Sequence, residues 1–90
     1  MLIAIDYDDT YTADPALWDV FIAVASSRGH EVICVTGRRA SQPVGLELPT
    51  VYADGEYKRE AAERAGYRVD VWIDDMPGYV ERGRLLDWAA

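Results

Sequence analysis

The chain has 90 residues, of which 50% are hydrophobic and 28% charged, and its formal net charge is −7. The hydrophobic share excludes a disordered chain, and the length fits one globular domain, residues 1–90, rather than two. Because phosphate backbones are repelled by an acidic surface, the charge balance argues against binding of long nucleic acid.

The remaining composition points to a soluble domain. The single cysteine, Cys34, has no second cysteine for an intrachain disulfide and favours a reducing compartment. No apolar run approaches the ~20 residues that a membrane span needs. The first residues lack the basic flank of a signal peptide and become acidic at Asp6. We therefore expect a cytoplasmic protein without membrane contact.

The first half of the chain predicts a strand, a helix and a strand. Residues 2–5 form a short apolar run typical of a buried strand. Asp14 and Pro15 suit the N-cap and first turn of a helix, which Gly29 ends. A second buried strand follows over residues 31–35. The expected core-facing stripe of the helix consists of Leu17, Val20, Phe21 and Val24, widened by Ile22 and Ala25.

The second half continues the alternation. Residues 38–49 contain glycine and proline without a clean period and predict a loop, followed by a short edge strand over residues 50–53. Residues 57–65 predict a helix that stops at Gly66, and residues 69–73 predict a further strand. The inward face of this helix is expected to consist of Ala61, Ala62 and Ala65.

The C-terminal residues 77–90 are expected to start as a helix that Gly83 interrupts before Trp88. Alternating strands and helices predict an α/β fold: a parallel sheet of three to four strands, right-handed crossovers and helices on both faces.

Acidic residues follow the first and last strands. Asp6, Asp8 and Asp9 come after the first, and Asp74 and Asp75 after the last. The carboxyl ends of parallel strands meet at one edge of the sheet, where ligands bind. Carboxylates crowded there stay ionised together only beside a cation, and all-oxygen ligands favour Mg²⁺, which leaves room for a phosphate oxygen. The pattern therefore predicts a magnesium site for phosphate chemistry.

Other polar residues fit this chemistry. Thr36 and the Gly37 N–H can hydrogen-bond phosphoryl oxygens, and the Lys58 ammonium can neutralise them. An aspartate can attack phosphorus to form an aspartyl-phosphate. A second aspartate two residues later can protonate the leaving oxygen and then activate water.

Four motifs occur in a fixed order. A strand followed by Asp-x-Asp-x-Thr spans Asp6–Thr10, a second strand ends at Thr36, Lys58 lies near a helix start, and a last strand ends in Asp74 and Asp75. On these motifs, which cover residues 2–75, the chain resembles phosphatases of the haloacid dehalogenase-like (HAD) superfamily. The resemblance implies a small HAD-like Rossmannoid three-layer sandwich.

The resemblance also implies roles for individual residues. Asp6 would be the nucleophile and Asp8 the general acid/base, and an acid at Asp8 argues against dehalogenase chemistry. Thr36 would bind the phosphoryl group, and Lys58 would neutralise Asp6 and the phosphoryl oxygens. Thr10 would hold the motif loop. The implied activity is Mg²⁺-dependent hydrolysis of a phosphomonoester through an aspartyl-phosphate on Asp6.

Metal and substrate groups follow in the same way. The implied metal ligands are Asp6, Asp8 through its backbone carbonyl, Asp74 and Asp75, with Asp74 the expected direct ligand of the last pair. The substrate-binding residues expected at the phosphoryl group are Thr10, Thr36, Gly37 and Lys58. Arg38 follows Gly37 in the chain and could contact the substrate just beyond the phosphate or belong to a solvated loop. The substrate would be a phosphorylated small molecule or an accessible terminal phosphate.

Larger members of the superfamily insert a cap domain after the first motif or between the second and third. Here residues 11–14 and a short loop leave no room for one, which predicts a capless cleft that is open or closed by another subunit. Trp18, Trp72 and Trp88 are expected to be core or interface anchors, and exposed apolar surface in so small a domain is compatible with a homodimer.

Two other functions remain open. A phosphoacceptor receiver-like signalling domain also uses acids, a threonine, a lysine and Mg²⁺, although its phosphorylated aspartate follows a middle strand, where this chain has Thr36. A non-catalytic HAD-like module could instead sequester a phosphorylated ligand, although intact Asp6 and Asp8 argue against it.

Overall fold

The computed structural model describes residues 1–82, and in this range four strands form one all-parallel sheet in the order β3-β2-β1-β4. The strands are β1 Leu2–Ile5, β2 Glu31–Thr36, β3 Thr50–Tyr52 and β4 Val71–Ile73. Helix α1 spans Pro15–Ser27 and helix α2 spans Lys58–Arg64. The predicted α/β fold with a parallel sheet of three to four strands is therefore confirmed.

The two helices cover opposite faces of the sheet. Ile3 and Ile5 of β1 pack in one cluster with Ala25 of α1. Ala4, between them in the strand, packs in a second cluster with Ala62 of α2. Because successive strand residues point to opposite faces, this alternation gives a layer of helix on each side of the sheet.

The ends of α1 lie where the sequence predicts them. The Asp14 carboxylate accepts a hydrogen bond from the Leu17 N–H at 3.2 Å, as expected of an N-cap. At the other end, Gly29 has a φ of 83°, and the His30 N–H donates to the Ala25 carbonyl at 3.0 Å. This Schellman arrangement needs the left-handed conformation that glycine adopts without strain.

The predicted inward face of α1 is wrong in part. Leu17, Val20 and Val24 are 55%, 64% and 51% exposed. The residues that pack on the sheet are Trp18, Phe21, Ile22 and Ala25. Apolar residues run most of the way round this helix, so their spacing fits two overlapping stripes. The stripe with both large aromatic rings lies on the sheet, where the Trp18 and Phe21 rings meet edge to face at 5.8 Å.

Helix α2 is shorter than the predicted range 57–65. Ala61 and Ala62 are buried as expected, but Ala65 is exposed. Ala65 lies at the C-cap, beyond the last turn, and the chain leaves the helix at Gly66, whose φ is 94°. Ala65 is therefore not part of the buried face of the helix, contrary to the prediction.

The outer strands also differ in length from the prediction. β3 ends at Tyr52, one residue early, and it is an edge strand as expected. β4 begins at Val71 rather than residue 69. Before it, the Asp70 N–H donates to the Leu2 carbonyl at 2.8 Å, while the Asp70 carboxylate accepts from the Leu2 N–H at 2.8 Å. Beside Leu2, the Asp70 carboxylate therefore accepts the hydrogen bond that a backbone carbonyl would accept if β4 continued. Residues 38–49 form the expected loop, without helix or strand.

After β4, Pro77–Tyr79 form a single 3₁₀ turn where the sequence predicts the start of a helix. The expected break at Gly83 and the role of Trp88 lie outside the described residues. Within residues 1–82, no helix combines the length and the apolar character needed to cross a membrane.

Candidate active site

The strand order places a crevice beside β1. From β1 the chain moves to β2 and β3 on one side, and then returns through α2 to β4 on the other side. Ligands bind at such reversals, beyond the carboxyl ends of the strands. Asp6 follows β1 directly and Asp74 follows β4 directly. The Asp6 N–H donates to the Ile73 carbonyl at 2.9 Å, which fixes the two strand ends together.

A cleft of about 460 Å³ opens at this point. Its walls carry six carboxylates and two cationic side chains. The lining residues are Asp6, Asp8, Asp9, Gly37, Arg38, Gly55, Glu56, Lys58, Asp74, Asp75, Met76 and Tyr79. The structure therefore gathers most of the predicted site residues around one cavity.

Lys58 lies at the floor of the cleft between two carboxylates. Its side chain is nearly inaccessible, and its Nζ is 2.7 Å from Asp6 Oδ1 and 2.6 Å from Asp74 Oδ2. Burial alone would lower the pKa of Lys58, but the hydrogen bonds to Asp6 and Asp74 outweigh it and the pKa is raised. The lysine is therefore a fixed positive charge beside Asp6.

The Asp6 carboxyl sits in a crowded, partly desolvated position. Burial raises its pKa, Lys58 opposes that shift, and the carboxylates of Asp75 and Asp74 add to it. The Thr10 hydroxyl lies 3.0 Å from Asp6 Oδ2 and 3.1 Å from Asp75 Oδ1, and it accepts the Asp75 N–H at 3.2 Å. One ammonium thus stands beside three neighbouring carboxylates, which leaves uncompensated negative charge.

This excess charge fits a divalent cation. Asp6, Asp74 and Asp75 each offer a carboxylate oxygen, and the three oxygens lie within 4.8 Å of one another. The Met76 N–H donates to Asp74 Oδ1 at 2.9 Å, which orients that carboxylate. These three carboxylates could therefore hold a metal ion, and an oxygen-only donor set is the kind that hard cations prefer. The carboxylate of Asp8 is not part of this set.

Asp8 is instead held by Arg38. Arg38 Nε donates to Asp8 Oδ2 and a terminal guanidinium nitrogen donates to Asp8 Oδ1, both at 2.8 Å. The guanidinium also lies 5.0 Å above the centre of the Tyr7 ring and donates to the carbonyls of Gln42 and Pro43. The hydrogen bond from Arg38 holds the pKa of Asp8 below its ordinary value. Arg38, predicted to bind substrate, is therefore a partner of Asp8 at the wall of the cleft.

The remaining predicted residues differ in whether they line the cleft or are buried behind it. Gly37 lines the cleft, whereas Thr36 is 1% exposed and its hydroxyl accepts the Arg38 N–H at 3.2 Å. Thr10 is also buried and contacts carboxylates rather than the cavity. In this structure the two threonines hold the site loops in place.

Four lining residues are not among the candidates: Gly55, Glu56, Met76 and Tyr79. A sequence signal existed for the first two. Asp54 and Gly55 form a turn with φ values of 48° and 85° directly after a parallel strand, and such a turn must lie at the same edge as the acids.

Comparison with known proteins found no matching family model, curated protein or solved structure. The chemistry of the cleft therefore rests on its own side chains, above all on the buried unit of Asp6, Lys58 and Asp74.

Proposed function

We propose that this protein is a Mg²⁺-dependent phosphomonoester hydrolase of the capless HAD-like type. The observation that carries the proposal is the buried Asp6 carboxylate, which Lys58 Nζ contacts at 2.7 Å beside two further carboxylates at the reversal of strand order. A nucleophilic carboxylate, a fixed cation and an oxygen-only metal site are what phosphoryl transfer to an aspartate needs.

In the first step an Asp6 oxygen attacks phosphorus, and the bond from phosphorus to the leaving oxygen breaks. Asp8 gives its proton to that oxygen, so the alcohol leaves neutral and Asp6 carries the phosphoryl group. Lys58 neutralises the phosphoryl oxygens from the floor of the cleft. Mg²⁺, held by Asp6, Asp74 and Asp75, would supply further charge neutralisation.

In the second step the Asp8 carboxylate takes a proton from water, and the resulting oxygen attacks phosphorus. The bond between phosphorus and the Asp6 oxygen breaks, which releases inorganic phosphate and restores the carboxylate. In this step, where Asp8 acts as a carboxylate, the two hydrogen bonds from Arg38 hold it at the wall of the cleft. The first step requires Asp8 to be protonated, and therefore one of its oxygens to be released from Arg38.

The test is hydrolysis of 4-nitrophenyl phosphate in Mg²⁺, in EDTA, and by the Asp6→Asn variant. We expect turnover in Mg²⁺ alone, and its loss in both other cases, because an amide cannot attack phosphorus as a carboxylate does. Asp19→Asn is the matched control, since Asp19 lies on α1 and bonds the Tyr11 hydroxyl outside this cleft. Its activity should equal that of the unaltered protein.

Other outcomes would identify the alternatives. Absence of turnover together with stable labelling of the chain by a small phosphodonor such as acetyl phosphate would indicate a receiver-like domain. Absence of both, with tight binding of a phosphorylated ligand, would indicate a sequestering module.

A further inference from the structure

An aromatic ring and a thioether lie in solvent at the mouth of the cleft. Tyr79 is 61% exposed and Met76 is 50% exposed, and both line the cavity whose floor is Asp6 and Lys58. Apolar side chains left open beside buried charges are typical of a surface that packs against part of a ligand.

The segment that carries these two side chains is anchored. The Met76 N–H is bonded to the Asp74 carboxylate at 2.9 Å, and the Tyr79 N–H to the Met76 carbonyl at 2.9 Å. Val80 is buried, and its carbonyl accepts the Arg59 N–H at 2.9 Å. These bonds therefore fix the backbone that carries Tyr79 relative to the carboxylates of the cleft.

The charges around the cleft restrict what can lie beside that ring. Within the described residues, the cationic side chains that line the cavity are Lys58 and Arg38, and both already bond carboxylates of the same cavity. Asp9 and Glu56 add negative charge to its wall. A second anionic group on a substrate would meet like charge there, without a free cation to receive it.

We propose that the cleft selects phosphomonoesters of an uncharged planar ring, with the phosphoryl group on Lys58 and the ring against Tyr79 and Met76. This inference rests on the proposed hydrolase function and names its substrate class. Aromatic contact with Tyr79 favours the ring, and the acidic wall disfavours substrates that carry an additional carboxylate or phosphate.

Phosphonates test the selectivity without turnover, because their carbon–phosphorus bond is not hydrolysed. Dissociation constants in Mg²⁺ would be measured by calorimetry for benzylphosphonate, cyclohexylmethylphosphonate and 4-carboxybenzylphosphonate. We expect benzylphosphonate to bind about threefold or more tighter than its saturated analogue, and about fivefold tighter than its carboxylated analogue.

Two pairs of variants assign these preferences to residues. Tyr79→Leu keeps an apolar side chain but removes the aromatic face, and should abolish the preference for the aromatic ring. Tyr57→Leu is the matched control, because Tyr57 is also an exposed tyrosine but does not line the cleft. Asp9→Asn should reduce the difference between the dissociation constants of benzylphosphonate and 4-carboxybenzylphosphonate, because it removes a negative charge from the wall of the cleft. Asp19→Asn should leave this difference unchanged.

The inference is wrong if the aromatic and saturated ligands bind equally, or if the preference survives Tyr79→Leu. Failure of all three phosphonates to bind in Mg²⁺ would also overturn it. The proposed function fails by a separate result, the absence of Asp6-dependent turnover of 4-nitrophenyl phosphate.

Discussion

Lys58 is the residue on which the charge balance of the site depends. Removing one partner from a buried charged cluster leaves the other partners desolvated and uncompensated. Here the partners are Asp6 and Asp74, at 2.7 Å and 2.6 Å from the ammonium, with Asp75 close by. The same ammonium therefore serves both the stability of the fold and the proposed chemistry.

Lys58→Met should abolish phosphatase activity and lower the free energy of unfolding by about 3 kcal/mol or more in EDTA. Mg²⁺ should restore stability to this variant more than to the unaltered protein, because the bound cation replaces the missing positive charge. Urea unfolding in Mg²⁺ and in EDTA measures both effects.

Arg64→Met is the control for Lys58→Met. It removes a cation that is bonded to Glu56 at 2.7 Å but is largely exposed, and a solvent-screened surface pair of this kind contributes little to stability. Equal unfolding midpoints for Lys58→Met in Mg²⁺ and EDTA would refute a metal site at these carboxylates.

Arg38 tests the second half of the proposed mechanism. Because the guanidinium bonds both oxygens of Asp8, Arg38→Ala should reduce kcat about tenfold or more by leaving Asp8 unaligned. Arg38→Lys should recover little, since one ammonium cannot make both bonds in the same plane. Steady-state kinetics on 4-nitrophenyl phosphate would measure the effect, and an unchanged kcat in Arg38→Ala would contradict it.

At the level of elements, the sequence predicted best what local chemistry determines. Asp14 and Gly29 mark the ends of α1 because an N-cap and a left-handed C-terminal residue are local requirements. The inward face of the same helix was mispredicted because it depends on which stripe packs better against the sheet. That choice is made by tertiary contacts of Trp18 and Phe21, which helical spacing does not contain.

The corrected face of α1 leads to a test with adjacent residues. Ile22→Ala should lower the free energy of unfolding by about 2 kcal/mol, because Ile22 packs against the core cluster of β1. Val20→Ala should change it by less than about 0.5 kcal/mol, because Val20 is 64% exposed. Denaturant unfolding of both variants measures these changes. Equal losses of unfolding free energy in the two variants would favour the inward face predicted from the sequence.

In the candidate site, too, some features follow from chain order and others depend on tertiary contacts. Asp6 and Asp74 could be placed together from chain order alone, since each directly follows a parallel strand. The pairing of Asp8 with Arg38 could not, because it depends on the path of two loops and on the Tyr7 ring beneath the guanidinium. Strand ends are fixed by the sheet, whereas the direction of a long side chain is fixed by neighbours that are distant in sequence.

For the whole molecule, Cys34 provides a measure of global unfolding. It lies in β2, between β1 and β3, and its side chain is fully buried. At neutral pH we expect Ellman's reagent to modify native protein only at the rate at which the sheet opens, and unfolded protein at once. Rapid modification of native protein would show that β2 opens without global unfolding.

The same thiol also adds a pH dependence. Burial raises the pKa of Cys34 from 9.0 to about 12. Because the folded-state pKa is the higher one, the stabilisation is complete below pH 9 and is lost as the pH rises from about 9 towards 12. Unfolding midpoints should therefore fall less steeply over this range in Cys34→Ala than in the unaltered protein.

The site joins two remote parts of the chain, since the contact between Thr10 and Asp75 spans 65 positions. While the protein is being synthesised, Asp6 leaves the ribosome long before Lys58, and long before β4, the strand that pairs with β1. Asp74 and Asp75 reach Asp6 and Thr10 only when β4 docks, so we expect the complete carboxylate cluster to be among the last features to form. A divalent ion bound by Asp6, Asp74 and Asp75 would connect the ends of β1 and β4 and would therefore slow unfolding. A nascent chain that lacks β4 would not gain this stabilisation.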